Sequence, residues 1–227
     1  MKRAEKNKLI EWGFTRFNRF FLRYHFEQIH LWKDSKEIPN KRTLFLINHS
    51  TWWDPLLIFY LNDQIVQSEG YAMMSEKGMK KHPFFQKVGG YSINAELRRD
   101  MIESLQYSIQ LLNEDKTVWI FPQGQEEHLE KRPLEFFSGT AYIAEHSEDV
   151  NVVPISLYYS LEHSRRPNVY VRIGEPVKNS SFSSLNRKEL SNLLEDLATK
   201  QLDELREAVI QERHNLFDQQ FRRWKEQ

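Results

Sequence analysis

The sequence predicts a single α/β domain: a largely parallel, twisted sheet flanked by helices, with an amphipathic N-terminal helical segment in front of it. Three observations predict this class. Short apolar runs rich in β-branched and aromatic residues alternate with amphipathic stretches between residues 43 and 173. Such alternation builds a sheet covered by helices. The chain has 227 residues, enough for one substantial core, and no repeat, low-complexity tract or long linker divides it. The expected divisions are an N-terminal helix over 1–38, an α/β core over 39–180, and C-terminal helices packed on the core over 181–227.

The elements follow in order. Ile10, Phe14, Phe17, Phe21 and Tyr24 recur at alternating steps of four and three, which is one helical face within residues 9–32. Trp12, Phe20, Leu22 and Trp32 broaden that face. Over residues 1–32 there are 7 Lys/Arg against 3 Asp/Glu. An aromatic, basic amphipathic helix suits a membrane surface, where rings sit at headgroup level; packing on the core is the competing use. Strands are expected at 43–48, 70–75, 90–94, 117–121, 152–158 and 168–173. Helices are expected at 55–62, 77–87, 96–113 and 136–147, with Met101, Leu105, Ile109 and Leu112 as the buried stripe of the third. Asn186-Arg187-Lys188-Glu189 has the form of a capping box opening a helix to about residue 213. Its apolar side is Leu190, Leu193, Leu194, Leu197, Leu202 and Leu205. In the tail, Phe217, Phe221 and Trp224 recur at helical steps beside Arg222, Arg223 and Lys225, which fits an interfacial segment or one docked on the domain.

Composition narrows the function. Lys plus Arg and Asp plus Glu each number 32, and a formal charge of zero argues against general nucleic-acid binding. No run of about 18 apolar residues occurs, so no spanning helix is expected. The charged N-terminus lacks the apolar core of a secretory signal. There is no cysteine, which rules out a thiol nucleophile, thiolate metal sites and disulfides. No convincing metal-ligand cluster stands out.

One motif carries chemistry. Past the apolar run Thr43-Leu44-Phe45-Leu46-Ile47 comes Asn48-His49-Ser50-Thr51-Trp52-Trp53-Asp54. Pro55 suits the first turn of a helix, with Asp54 as its N-cap. A strand-to-helix turn would thus hold a base and a carboxylate together. An imidazole there can take a proton from a hydroxyl once its other nitrogen is held. In open α/β sheets such residues gather at the carboxyl ends of strands. Phe121-Pro122-Gln123-Gly124 follows another strand, so both segments could line one crevice.

The order of motifs is more specific than any one of them. Asn48-His49 with Asp54 is followed by Gly89-Gly90-Tyr91-Ser92-Ile93-Asn94 with Arg98-Arg99. Next come Phe121-Pro122-Gln123-Gly124-Gln125, Phe137-Ser138-Gly139-Thr140-Ala141 and Val153-Pro154-Ile155. Over residues 40–175 this series resembles the glycerolipid and lysophospholipid acyltransferases, the family containing the 1-acylglycerol-3-phosphate acyltransferases. The resemblance extends to bacterial members that acylate glycosylated carotenoids. It implies transfer of a fatty acyl group from acyl-CoA or acyl carrier protein to a lipid hydroxyl, with no cofactor beyond the donor. By that resemblance His49 is the base and Asp54 its orienting partner. Asn48, Arg98, Arg99, Phe121, Pro122, Gln123, Gly124 and Gln125 then bind substrate. The expected location is peripheral, on the cytoplasmic face of the cell membrane.

The third block departs from the family pattern Phe-Pro-Glu-Gly-Thr followed by Arg or Ser. Here it reads Phe-Pro-Gln123-Gly-Gln125-Glu126-Glu127. Two carboxylates stand where the family often offers a phosphate-binding cation, with Lys131, Arg132, Arg98 and Arg99 as the cations able to offset them. The departure points to an acceptor without an essential phosphate, such as a glycolipid or glycosylated terpenoid; a lysophospholipid acceptor is the alternative. Water as acceptor, giving a thioesterase, and a non-catalytic lipid-binding protein are the competing classes. No Gly-x-Ser-x-Gly elbow supports a serine hydrolase.

Overall fold

The computed structural model describes residues 1–35 and 38–221. Helix α1 (Lys8–His25) leads into β1 (Ile29–Trp32), β2 (Thr43–Ile47), α2 (Asp54–Leu61), β3 (Gly70–Ser75), α3 (Glu76–Lys81), β4 (Gly90–Ile93), α4 (Arg98–Asn113) and β5 (Thr117–Ile120). Then follow α5 (Gly139–His146), β6 (Asn151–Ser160), β7 (Asn168–Ile173), β8 (Val177–Lys178), α6 (Arg187–Ile210) and β9 (Phe217–Gln219).

The strands form one sheet in the order β4-β3-β5-β2-β6-β7-β1-β9, with β8 attached to β6. The run from β4 to β6 is entirely parallel. Strand β7 turns antiparallel to β6, β1 lies parallel to β7, and β9 closes the edge antiparallel to β1. All five residues of β2 are buried, as a central strand covered on both faces requires. Phe45, Ile47 and Trp119 pack toward α1 and α2, with Leu22, Leu57 and Leu61. Leu44, Leu46, Val118 and Ile120 face the other way, toward Leu112, Ile143 and Leu190 of α4, α5 and α6. Neighbouring strands β2 and β5 therefore send their following helices to opposite faces. Their crossovers run in opposite directions, and right-handed connections put them on opposite sides. The divergence opens a crevice beyond the carboxyl ends of β2 and β5.

Several elements differ from the expectations. The N-terminal helix stops at His25, not residue 32. Phe26 is extended, and Arg166 donates to the carbonyls of Arg23 and Tyr24 at 2.9 and 3.0 Å, satisfying the last turn. Ile29–Trp32 instead joins the sheet. Four apolar or half-polar residues are too short to declare a period, and the pairing partners β7 and β9 decide. The helix expected at 77–87 breaks at His82-Pro83 into α3 and a 3₁₀ turn, Pro83–Val88. Gly89 ends that turn at φ 104°, where a Cβ would lie 2.8 Å from the Gly70 carbonyl oxygen. The buried face of α4 centres on Ser104, Leu105, Ser108, Leu111 and Leu112; Met101 and Ile109 are at its margins. The small serines allow close approach to β4, where Ser104 Oγ donates to the Ser92 carbonyl at 2.9 Å. The capping box of α6 has both of its bonds, and the helix ends at Ile210. In the tail, Phe217 lies in a strand, and both it and Phe221 are buried; Arg222, Arg223, Trp224 and Lys225 lie outside the described residues.

Candidate active site

His49 and Asp54 sit on the turn between β2 and α2, at the mouth of the crevice. The sequence reading made Asp54 an N-cap. It is instead the first residue of α2, and its carboxylate reaches back to close the turn that precedes the helix. Oδ2 accepts the Ser50 and Thr51 N–H groups at 2.7 and 2.9 Å and lies 2.8 Å from His49 Nδ1. An oxygen already taking two amide protons acts toward the imidazole as an acceptor, so Nδ1 carries the proton. The free lone pair is then on Nε2. Asp54 is fully buried while the His49 side chain keeps 14% of its surface. The Phe121 ring stacks on the imidazole, with centroids 4.1 Å apart and planes 15° apart. That stack and the Asp54 bond together hold the ring's orientation.

The remaining expected residues divide into three groups. Asn48 is buried with its amide turned to β6, where it donates to the Leu157 carbonyl at 3.0 Å and accepts the Leu157 N–H at 2.7 Å. It anchors the turn, with both the oxygen and the nitrogen of its amide bonded to the β6 backbone. Gln123 is also buried and works on the backbone: Oε1 accepts the His49 N–H at 2.7 Å, and Nε2 donates to Glu127 at 3.3 Å. Pro122 is buried beside it and accepts the Phe137 N–H through its carbonyl at 2.9 Å. Gly124 turns at φ 70° under the Phe137 ring, which a Cβ would meet at 2.8 Å. Its N–H closes the turn onto the Phe121 carbonyl at 3.0 Å. Gln125 is exposed and donates to Glu127 at 3.2 Å. Phe121, Pro122, Gln123, Gly124 and Gln125 are thus brought to the His49 turn.

Arg98 and Arg99 are not. They open α4 beyond β4, exposed beside a surface depression they share with Ile102, Glu103 and Gln106. Three strand spacings of about 4.8 Å separate β4 from β2. Among the described residues neither arginine forms an ion pair.

The two carboxylates of the altered block have different surroundings. Glu126 is exposed. Glu127 is held by its own N–H to the His49 carbonyl at 2.9 Å and by Lys131 to its side chain at 2.9 Å. Lys131, then Gln125, keeps the Glu127 carboxyl below the usual carboxylate range. Lys131 also pairs with Glu135 at 2.8 Å, and Arg132 pairs with Asp203 of α6 at 2.6 Å. Both nearby cations are engaged. Trp53 is packed between Phe26 and His25, while Trp52 keeps 53% of its surface.

One site residue had no signal in the sequence. Tyr159, on β6, donates its hydroxyl to Asp54 Oδ1. A separation of 105 residues carries no motif; only the adjacency of β2 and β6 brings the two together.

The acyltransferase family model matches residues 30–158, more than half of the chain, and the chain belongs to that family. It is an O-acyltransferase. A 1-acyl-sn-glycerol-3-phosphate acyltransferase from Haemophilus influenzae is 26% identical over 187 residues, which are 78% of this chain and 74% of that protein. The crystal structure of the 1-acyl-sn-glycerophosphate acyltransferase PlsC from Thermotoga maritima superposes with a TM-score of 0.63 at 20% identity, covering 86% of this chain and 79% of that one. The mostly parallel sheet flanked by helices is the fold of that enzyme.

Proposed function

We propose that this chain moves a fatty acyl group from an acyl-CoA or acyl carrier protein thioester to a lipid hydroxyl at a membrane surface, with His49 as general base. The observation that carries this reading is the His49 Nδ1–Asp54 contact at 2.8 Å, which leaves Nε2 as the free nitrogen. The acceptor O–H gives its proton to Nε2 as its oxygen attacks the thioester carbonyl. Asp54 balances the imidazolium that forms. The tetrahedral intermediate expels the thiolate, which takes the proton back from Nε2. A positioned base of this kind contributes about 10²–10⁴-fold. The oxyanion needs donors. The Gly124 N–H is engaged within its turn, so the neighbouring amides of Gln125 and Glu126, which have no acceptor among the described residues, are better placed for that role.

Helix α1 supports membrane contact. It buries Asn18 and Leu22 and exposes Leu9, Trp12, Phe17, Phe20 and Tyr24, with Arg16 stacked on Trp12 at 4.6 Å. No helix of the described residues is long and apolar enough to cross a membrane, and attachment through this face would be peripheral.

The acceptor we favour has a neutral headgroup, such as a glycolipid or glycosylated terpenoid. Glu127 abuts the His49 turn, and Lys131 and Arg132, the cations of the altered block, are both paired among the described residues rather than left for a phosphate. The resemblance to the Haemophilus and Thermotoga enzymes favours a second reading, a lysophospholipid acceptor, whose phosphate would be met by Arg98 and Arg99.

The test is thiol release from labelled acyl-CoA and acyl carrier protein by wild type and His49→Ala, with neutral glycolipids, lysophosphatidic acid and lysophospholipids as acceptors. His49-dependent transfer to a neutral glycolipid is the expected result. Faster turnover of lysophosphatidic acid would overturn the acceptor assignment. Hydrolysis undiminished without any lipid alcohol would make the protein a thioesterase.

A further inference from the structure

We infer that Tyr159 is a positioning residue for the His49–Asp54 pair, fixing the carboxylate so that one oxygen is committed to the imidazole. The inference rests on the reading of His49 as base and extends it to a residue one position past the matched family region.

The distribution of donors on Asp54 makes the argument. Oδ2 receives three N–H groups, from His49, Ser50 and Thr51, while Oδ1 receives only the Tyr159 hydroxyl among the described residues. Without Tyr159 one oxygen of a fully buried carboxylate would have no donor. The carboxylate could then rotate about its Cβ–Cγ bond to exchange its oxygens among the N–H groups of the turn. The hydroxyl on Oδ1 prevents that exchange and keeps the lone pair of Oδ2 on Nδ1.

Strand β6 supplies the rigidity. It lies beside β2 in parallel register, with Ile47 opposite Ile155. Two residues further on, the Leu157 backbone holds Asn48, and two residues beyond that Tyr159 holds Asp54. One strand therefore grips the residue before His49 and the carboxylate after it. The Tyr159 ring is flanked by Phe26, 6.1 Å away between centroids. Burial first, then the Asp54 charge, raises the Tyr159 hydroxyl well above its usual range, so it stays protonated and donating at working pH.

The hydroxyl also withdraws charge from Asp54. Its removal leaves a more basic carboxylate facing Nδ1, which favours the imidazolium and raises the pH at which Nε2 becomes available.

The experiment is a set of pH–rate profiles for wild type, Tyr159→Phe, Asp54→Asn and the double variant, on whichever acceptor wild type turns over, with melting temperatures alongside. In the wild-type background Tyr159→Phe is expected to lower kcat about tenfold, the effect of one hydrogen bond to a charged group, with KM little changed. The acid limb of its kcat/KM profile should move upward by about half a pH unit. In the Asp54→Asn background the same substitution should change kcat less than about twofold, because its route of action is gone. An equal loss in both backgrounds, an unmoved acid limb, or an unchanged kcat would overturn the inference. A wild-type rate indifferent to His49→Ala would instead remove the reading beneath it.

Discussion

Gln123 Oε1 accepts the backbone N–H of His49 at 2.7 Å, so the side chain from the loop after β5 sets the height of the turn after β2. The glutamine's other end donates to Glu127 at 3.3 Å. A glutamate at this position, the usual family residue by resemblance, could serve His49 but would face Glu127 with like charge. Gln123→Glu is therefore expected to cost about 1 kcal/mol, a fall in Tm of about 3 °C. Adding Glu127→Gln should recover most of it, and thermal unfolding of the two single variants and the double variant measures the coupling. An additive pair would show that the two side chains do not interact.

Asp54 answers four donors while fully buried. Asp54→Ala strands them all and should destabilise by about 3 kcal/mol. Asp54→Asn keeps the shape and some acceptors, so its Tm should fall less. It should still lose about 10²–10⁴-fold in kcat, because an amide cannot balance the imidazolium. Comparing Tm and kcat for the two variants separates the structural role from the chemical one.

The exposed face of α1 yields a prediction with no stability component. Trp12, Phe20 and Tyr24 keep 59%, 62% and 67% of their surface, so replacing all three with serine should leave Tm nearly unchanged. Sedimentation with vesicles containing anionic lipid should show binding reduced at least about tenfold, since each ring contributes interfacial burial. Binding equal to wild type would assign membrane contact to another surface.

His30 governs a segment of the pH–stability curve. It is buried in β1, stacked on Tyr170 with centroids 4.5 Å apart, and bonded through Nε2 to Asn168 at 3.2 Å. Burial pushes its pKa below the usual 6.5, partly offset by Asn168 and Glu162, while His214 adds to the lowering. The folded state therefore binds fewer protons than the unfolded state below pH 6.5. Stability is intact above 6.5, declines as pH falls toward the depressed folded value, and levels off below it. His30→Phe keeps the stack and removes the titration. Its Tm should be flatter than that of wild type over this window, and parallel curves would reject the assignment.

The structure sorts the sequence motifs by the work their side chains do. His49 and Asp54 were legible because five residues of local chain suffice to bring them together. Only the N-cap expected of Asp54 differs, since a carboxylate at a helix start can bond either the helix ahead or the turn behind, and here it bonds the turn and His49. Asn48 and Gln123 are legible as site residues, yet Asn48 spends its amide on the Leu157 backbone of β6, and Gln123 spends its own on the His49 N–H and the Glu127 side chain. Motif order points to Arg98 and Arg99 as substrate residues; the strand order sets them at the start of α4, three strands from β2. Tyr159 was invisible, because its partner is a neighbour only in the sheet.

Along α1 the spacing puts Phe14 and Phe21 on one face with Phe17 and Tyr24, whereas packing takes the first two against the core and leaves the other two exposed. Local pattern was enough for the alternation of strands and helices, the capping box of α6 and the strand-to-helix turn. Each depends on contacts within a few residues, where side-chain period and backbone preference act directly. Strand order, the pairing of β1 and β9, and the arrival of Gln123 and Tyr159 at the His49–Asp54 turn depended on the tertiary structure. Those are contacts between segments distant in sequence, chosen by which faces bury the most apolar surface and leave the fewest polar groups unpaired.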